Sequence, residues 1–173
     1  MLNIINQLKF ARHEFRKGFT GVNDEDGKRR LNPVNSIAWM VGHLAWHEQY
    51  YWLKRAQDKL PFPALAESAS FGKPAGELIL SEMVSCWEAV IEKADDFLLT
   101  LDENGLEDCL VIKGKTLPFN IGTMLSRMIY HYWYHLGEMQ AVRQLLGHVN
   151  LPDFVSDDIE SIGAFYLDKL RKE

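Results

Sequence analysis

NIGTMLSRMIYHYWYHLGEMQAVRQLLG, residues 120–147, reads as one long helix from cap to stop. Asn120 is a good N-cap, and Gly147 stands where a helix ends on a left-handed residue. Between them Ile121, Leu125, Met128, Tyr132, Met139, Val142 and Leu146 keep the 3.6-residue period over about seven turns. Such a stretch dictates a helical fold, and inside it His131 and His135 stand four apart. Residues so spaced share a helix face one turn apart, so both imidazoles can address one point.

The same spacing recurs upstream. His43 and His47 lie in an apolar, aromatic-rich run that starts at Asn35 or Ser36, either of them a good cap, and continues to about Gln57 with Ile37, Met40, Val41, Leu44 and Tyr51 at helical spacing. A first helix is predicted over Asn3 to Phe19, with Leu8, Ala11, Phe15 and Phe19 as its stripe and Gly21 closing it. A third spans about Glu77 to Leu101, with Ile79, Met83, Trp87, Val90, Ala94, Phe97 and Leu101 on one face. Polar residues from Val22 to Pro33 form a loop. Asp58 to Ala75, with Pro61, Pro63 and Pro74, forms a crossover long enough to run the height of a bundle. Cys109 to Leu117 suggests a small hairpin turning at Lys113-Gly114-Lys115, and a last short helix is expected from about Ser156 to Leu170. With no other convincing strand, the expected class is all-α, most simply a four-helix bundle in one domain over residues 1–173.

Composition narrows the function. The chain of 173 residues carries a net charge of −5, with its basic residues scattered, and so lacks the basic stripe of a nucleic-acid binder. Two cysteines, Cys86 and Cys109, are too few for a disulfide scaffold and read as reduced thiols of a cytoplasmic protein. Polar residues interrupt Met1 to Phe10, which does not resemble a signal peptide, and no stretch reaches membrane-spanning length without charges.

The histidine pairs carry the chemistry. A lone histidine on an apolar helix is more often a core residue than a ligand, and the aromatic runs around Trp39, Trp46, Trp52 and Trp133 are more often packing than a cofactor box. Two pairs in the two most apolar helices shift that balance, because several buried imidazoles without partners would each cost roughly 1–3 kcal/mol. If the two helices are neighbours, three imidazoles can converge from two rigid supports and leave a coordination position open, as in a catalytic metal centre. Imidazole suits zinc, nickel, iron and copper alike, so spacing names no ion. Glu138 stays on the face of His131 and His135 and could orient a ligand or act as a base on bound water or thiol. His13, beside Glu14 and near Arg12 on the polar side of the first helix, reads as solvated, and His148 as a cation at a helix C-terminus. Glu-x-x-His and His-Glu-x-x-His patterns are absent, which argues against di-iron bundles and zinc proteases. Cys86, beside Trp87, reads as packed and a poor nucleophile.

Two stretches carry a family resemblance. Asn35-Ser36-Ile37-Ala38-Trp39-Met40-Val41-Gly42-His43-Leu44-Ala45 resembles the second-helix signature of the DinB-like superfamily, and His131-Tyr132-Trp133-Tyr134-His135-Leu136-Gly137-Glu138 resembles its fourth-helix signature, His-x-x-x-His-x-Gly-Gln/Glu. The likeness runs from the first helix to about Gly147. It implies a four-helix bundle with a long crossover between helices two and three, and a divalent ion, with zinc, nickel, iron or manganese as candidates, held by His43, His131 and His135. His47 would then be a fourth ligand, an outer partner or a replacement, and Glu138 stands where Gln is frequent. Characterised superfamily members include enzymes that use low-molecular-weight thiols such as bacillithiol or mycothiol to transfer or isomerise electrophilic substrates, so the resemblance implies a metal-dependent thiol transferase, commonly a homodimer, acting on a small molecule. The acidic charge and the lack of an apolar span argue against nucleic acid and membrane as partners. The competing reading is a non-catalytic metal- or small-ligand-binding protein of a stress response. A third is a purely structural helical dimer.

Overall fold

Four long helices form the bundle, joined by connections that hold three short helices and a hairpin. The computed structural model describes residues 2–72, 77–156 and 159. α1 (Asn3–Phe19) buries Ile5, Leu8, Ala11, Phe15 and Phe19, the expected stripe, and ends before Gly21 at φ 78°. Within the expected polar loop lies α2 (Asp24–Lys28), capped by the Asn23 side chain. It is too short for periodicity to reveal, so the cap was its only signal. α3 (Ile37–Glu48) begins at Ser36, whose hydroxyl accepts from the Trp39 N–H at 3.2 Å. Every residue from Ile37 to Ala45 is buried, as for a helix enclosed by its neighbours.

After Glu48 the second predicted helix departs from expectation: Gln49–Arg55 winds as a π-helix. The wider turn buries Gln49, whose amide accepts from the Phe62 N–H at 2.7 Å and donates to the Phe62 carbonyl at 3.0 Å. That pair fastens the start of the crossover, which itself contains α4 (Leu65–Ser68). α5 (Leu80–Leu98) is shorter at both ends than predicted but buries Met83, Trp87, Val90, Ala94 and Leu98 as its core face. α6 (Glu103–Glu107), capped by Asp102, precedes the hairpin of β1 (Val111–Ile112) and β2 (Lys115–Thr116), paired antiparallel with Val111 opposite Thr116. Lys113 and Gly114 both take positive φ, 51° and 75°, as a tight two-residue hairpin turn requires. α7 (Ile121–Leu145) starts on Asn120, which accepts from the Thr123 N–H. It closes on Gly147, with the His148 N–H bonded back to the Arg143 carbonyl. The helix expected from Ser156 to Leu170 falls almost wholly outside the described residues. Among the described residues no helix is long and apolar enough to cross a membrane.

α1 packs on α7, α3 on α5, and α3 also meets α7. One hydrogen-bonded chain crosses the core and takes a residue from each long helix. The Trp87 indole donates to the Tyr132 hydroxyl at 2.8 Å, which donates to Glu48 Oε1 at 2.8 Å. Arg12 grips the same carboxylate with two nitrogens at 2.7 and 2.8 Å and reaches Asp95 with a third at 2.6 Å. Arg12 and Glu14, expected on the polar side of α1, are therefore buried. Partners distant in sequence explain it: Glu48 and Asp95 for Arg12, and for Glu14 the Val155 N–H, which joins its nearby partner Lys17.

Candidate metal centre

The crossing of α3 and α7 brings the predicted rings together. One ligand atom each from His43, His131 and His135 lies within 4.8 Å of the other two, an arrangement that could hold a metal ion. His43 and His135 are buried, while His131 is half-buried and marks the side nearest solvent.

Each ring is oriented through its Nδ1. His43 Nδ1 lies 2.7 Å from the Ala69 carbonyl, which can only accept, so this nitrogen carries the proton and Nε2 keeps its lone pair. Gly42 permits the approach: a Cβ there would stand 3.3 Å from Ala69 Cβ and 2.7 Å from Met83 Sδ. His135 Nδ1 lies 2.8 Å from Glu138 Oε2, and the Asn35 backbone N–H and side-chain amide donate to Oε1. Burial works to raise the Glu138 carboxyl, but His135 and Asn35 outweigh it and hold the pKa below the ordinary value. An ionised carboxylate only accepts, so His135 also presents Nε2. His131 Nδ1 sits 2.6 Å from His47 Nδ1, and its Nε2 is 3.0 Å from His135 Nε2. With the Nδ1 proton donated to His47, all three rings turn an Nε2 lone pair inward. Two nitrogens bound to one ion at about 2.0–2.1 Å stand roughly 3 Å apart, so the observed spacing fits ligation.

Electrostatics favours neutral rings at His43, His47 and His131. Burial lowers the His43 pKa to about 4, and proximity to His135 adds to it although the Ala69 bond opposes. His47 falls to about 3, first through burial and then through His43, Arg127 and Arg55. His131 is pushed down as well, again chiefly by burial and then by the other histidines. Crowded imidazoles that resist protonation are what a cation needs, since each must offer a lone pair. Trp39 stacks on His43 at 4.5 Å and 10°, and Trp46 lies against both His43 and His47 at 5.5 and 5.8 Å. Those indoles pack the α3 side of the cluster.

His47 and Glu138 touch the triad from outside: one faces His131, the other His135. Both Glu138 oxygens are engaged, which suits orienting His135 better than taking a proton. Asn35 proves to be the Glu138 partner, with Ser36 as the cap. Nothing in the sequence pointed to Ala69, because its contribution is a backbone carbonyl that any residue would supply. His148 faces Asp26 at 3.3 Å, and His13 is half-buried on α1; neither belongs to the cluster. Cys86 is half-buried with a thiol pKa raised by burial and by Glu82, as its packed reading implies. Exchanging Glu138 for Gln should weaken metal binding about 10- to 100-fold, the usual cost of a lost outer partner, as read by competition with a chromophoric chelator. Undiminished affinity would remove Glu138 from the centre.

A family model described as the DinB superfamily matches residues 7–139, a span containing all three rings. No curated protein matches the chain.

Proposed function

The chain belongs to the DinB superfamily, and from that premise we propose that His43, His131 and His135 hold a divalent metal ion at which a low-molecular-weight thiol is transferred to a small electrophile. The observation that carries this reading is the convergence of three imidazoles, each with its Nδ1 facing a partner: Ala69, His47 or Glu138. Three neutral nitrogen donors with room for another ligand are the donor set of a catalytic centre. What a divalent ion supplies in such a setting is a lowered thiol pKa and a fixed place for the sulfur.

The chain's own residues do the rest. Ala69 and Glu138 fix the turn of the two buried rings, His47 accepts a hydrogen bond from His131 Nδ1–H, and the indoles of Trp39 and Trp46 pack against the α3 side. The half-buried edge of His131 is where small molecules enter. In the transfer the sulfur forms a bond to the electrophilic carbon, the leaving group departs with its electron pair, and the thiol proton goes to solvent.

The test is conjugation of bacillithiol or glutathione to a chloro-aromatic acceptor by protein loaded with zinc, nickel or manganese. Metal-dependent release of chloride, matched by loss of free thiol, is the expected result. Stoichiometric metal without turnover for any pairing would favour the non-catalytic binding module, a reading that the full engagement of Glu138 supports. Failure to retain any metal would remove both and leave a structural bundle.

A further inference from the structure

The chain is acidic overall, yet on one cavity wall near the histidines cations outnumber carboxylates. A cavity of about 540 Å³ opens between the π-helix and the hairpin, walled by Tyr50, Arg55, Val111, Ile112 and Lys113. Lys54 and Asp58, also on its wall, pair with one another. Neither Arg55 nor Lys113 has a carboxylate within 4.0 Å among the described residues; Asp58 acts on Lys113 from farther off but is already paired with Lys54, so the wall carries an excess of two positive charges. Arg127, exposed one turn before His131 on α7, is likewise without an ion-pair partner among the described residues. A concave site with a net excess of one sign of charge concentrates ligands of the other.

Arg55 is held as a receptor rather than as a free surface cation. Its guanidinium lies 4.4 Å over the Tyr50 ring and 5.3 Å from that of Tyr51. Of its five N–H donors, one reaches the Tyr50 hydroxyl at a long 3.4 Å, and the buried Nε has no hydrogen-bond partner. A planar fork fixed by aromatic faces and short of acceptors matches the two oxygens of a carboxylate. The same aromatics lead to the histidines. Tyr51 meets His47 at 4.3 Å, and Tyr50 stacks on Trp46, which lies against His43. A cavity of this volume suits a small metabolite.

We propose that this cleft recognises a carboxylate on the small molecule handled at the histidine centre, with Arg55 as the residue that binds it and Lys113 in support. The inference rests on the function proposed above for its second half, the reacting end at the histidines. The carboxylate can belong to the thiol or to the electrophile, and the two are separated by matched probes: mercaptosuccinate against thioglycerol, and 4-chloro-3,5-dinitrobenzoate against 1-chloro-2,4-dinitrobenzene.

Calorimetric titration of each probe into zinc-loaded and zinc-free protein reads the dissociation constant directly. One charged probe should bind at least about 10-fold more tightly than its neutral counterpart. Arg55→Gln should abolish that preference with zinc content unchanged, Arg55→Lys should restore part of it, and Lys113→Ala should weaken it several-fold. Equal binding of charged and neutral probes by the unmodified protein would overturn the inference. So would a preference that survives Arg55→Gln, or a loss of zinc in that variant, which would make Arg55 a support of the fold. Absence of zinc binding in the unmodified protein sinks the metal centre instead, and the zinc-free titrations then still decide the carboxylate site.

Discussion

Replacing His43 by alanine is expected to lower metal affinity by at least about 100-fold, whereas replacing His47 costs only the roughly 10- to 100-fold of an outer partner. The two histidines look equivalent in sequence, one turn apart on one apolar helix, and geometry separates them. His43 offers its Nε2 to the cluster with Nδ1 occupied by Ala69, while His47 spends its Nδ1 on His131. Without His43 two nitrogens from a single helix remain, and the ion loses the ligand that ties α3 to α7. Without His47 the three donors persist, and His131 loses the acceptor that fixes its tautomer. Elemental analysis after dialysis, followed by chelator competition, measures both. Equal losses would make His47 a direct ligand, and full retention by His43→Ala would dismantle the assigned donor set.

Glu48→Ala is expected to destabilise the protein by about 3–5 kcal/mol, the usual penalty for stripping one partner from a buried ion pair. At this chain length each kcal/mol shifts Tm by about 2–4 °C, so the midpoint should fall by roughly 6–20 °C. Burial disfavours the Arg12 cation, and Glu48, with help from Asp95, outweighs it and holds the pKa above its ordinary value. Tyr132 shifts upward as well, mainly through burial, and so stays a neutral phenol that can donate to Glu48. With the carboxylate gone, a guanidinium 4% exposed keeps only Asp95, and the Tyr132 hydroxyl loses its acceptor. The double variant Arg12→Met, Glu48→Leu should recover much of the loss, because no charge is then left stranded. Urea unfolding of metal-free protein reads both. A Glu48→Ala loss under about 1 kcal/mol would mean that water relieves Arg12.

Much of this fold is legible before any coordinates. Ser36, Asn120 and Gly147 mark helix ends by chemistry specific to those positions, and the Lys113-Gly114 turn announces its hairpin. The histidine pairs are visible because four-residue spacing has one meaning on a helix. The π-helix after Glu48 is hidden, since over seven residues its apolar pattern hardly departs from that of an α-helix. Arg12 is hidden for a different reason. Its acceptors lie 36 and 83 positions away, and the local sequence shows only a charge on a helix. Arg55 sits in a run read as ordinary helix, and only the packed rings beneath it reveal a fork held in place.

Glu48 follows His47 directly, and Tyr132 follows His131. Two hydrogen bonds between α3 and α7 therefore share backbone with the rings of the proposed centre: the Glu48 to Tyr132 bond on the inner side, the His47 to His131 bond on the outer. Both helices are pinned like shafts in a bearing at these two points. An ion held at the rings would find them already set by these two contacts, and any change that loosens the inner pin will be felt as play in the seat.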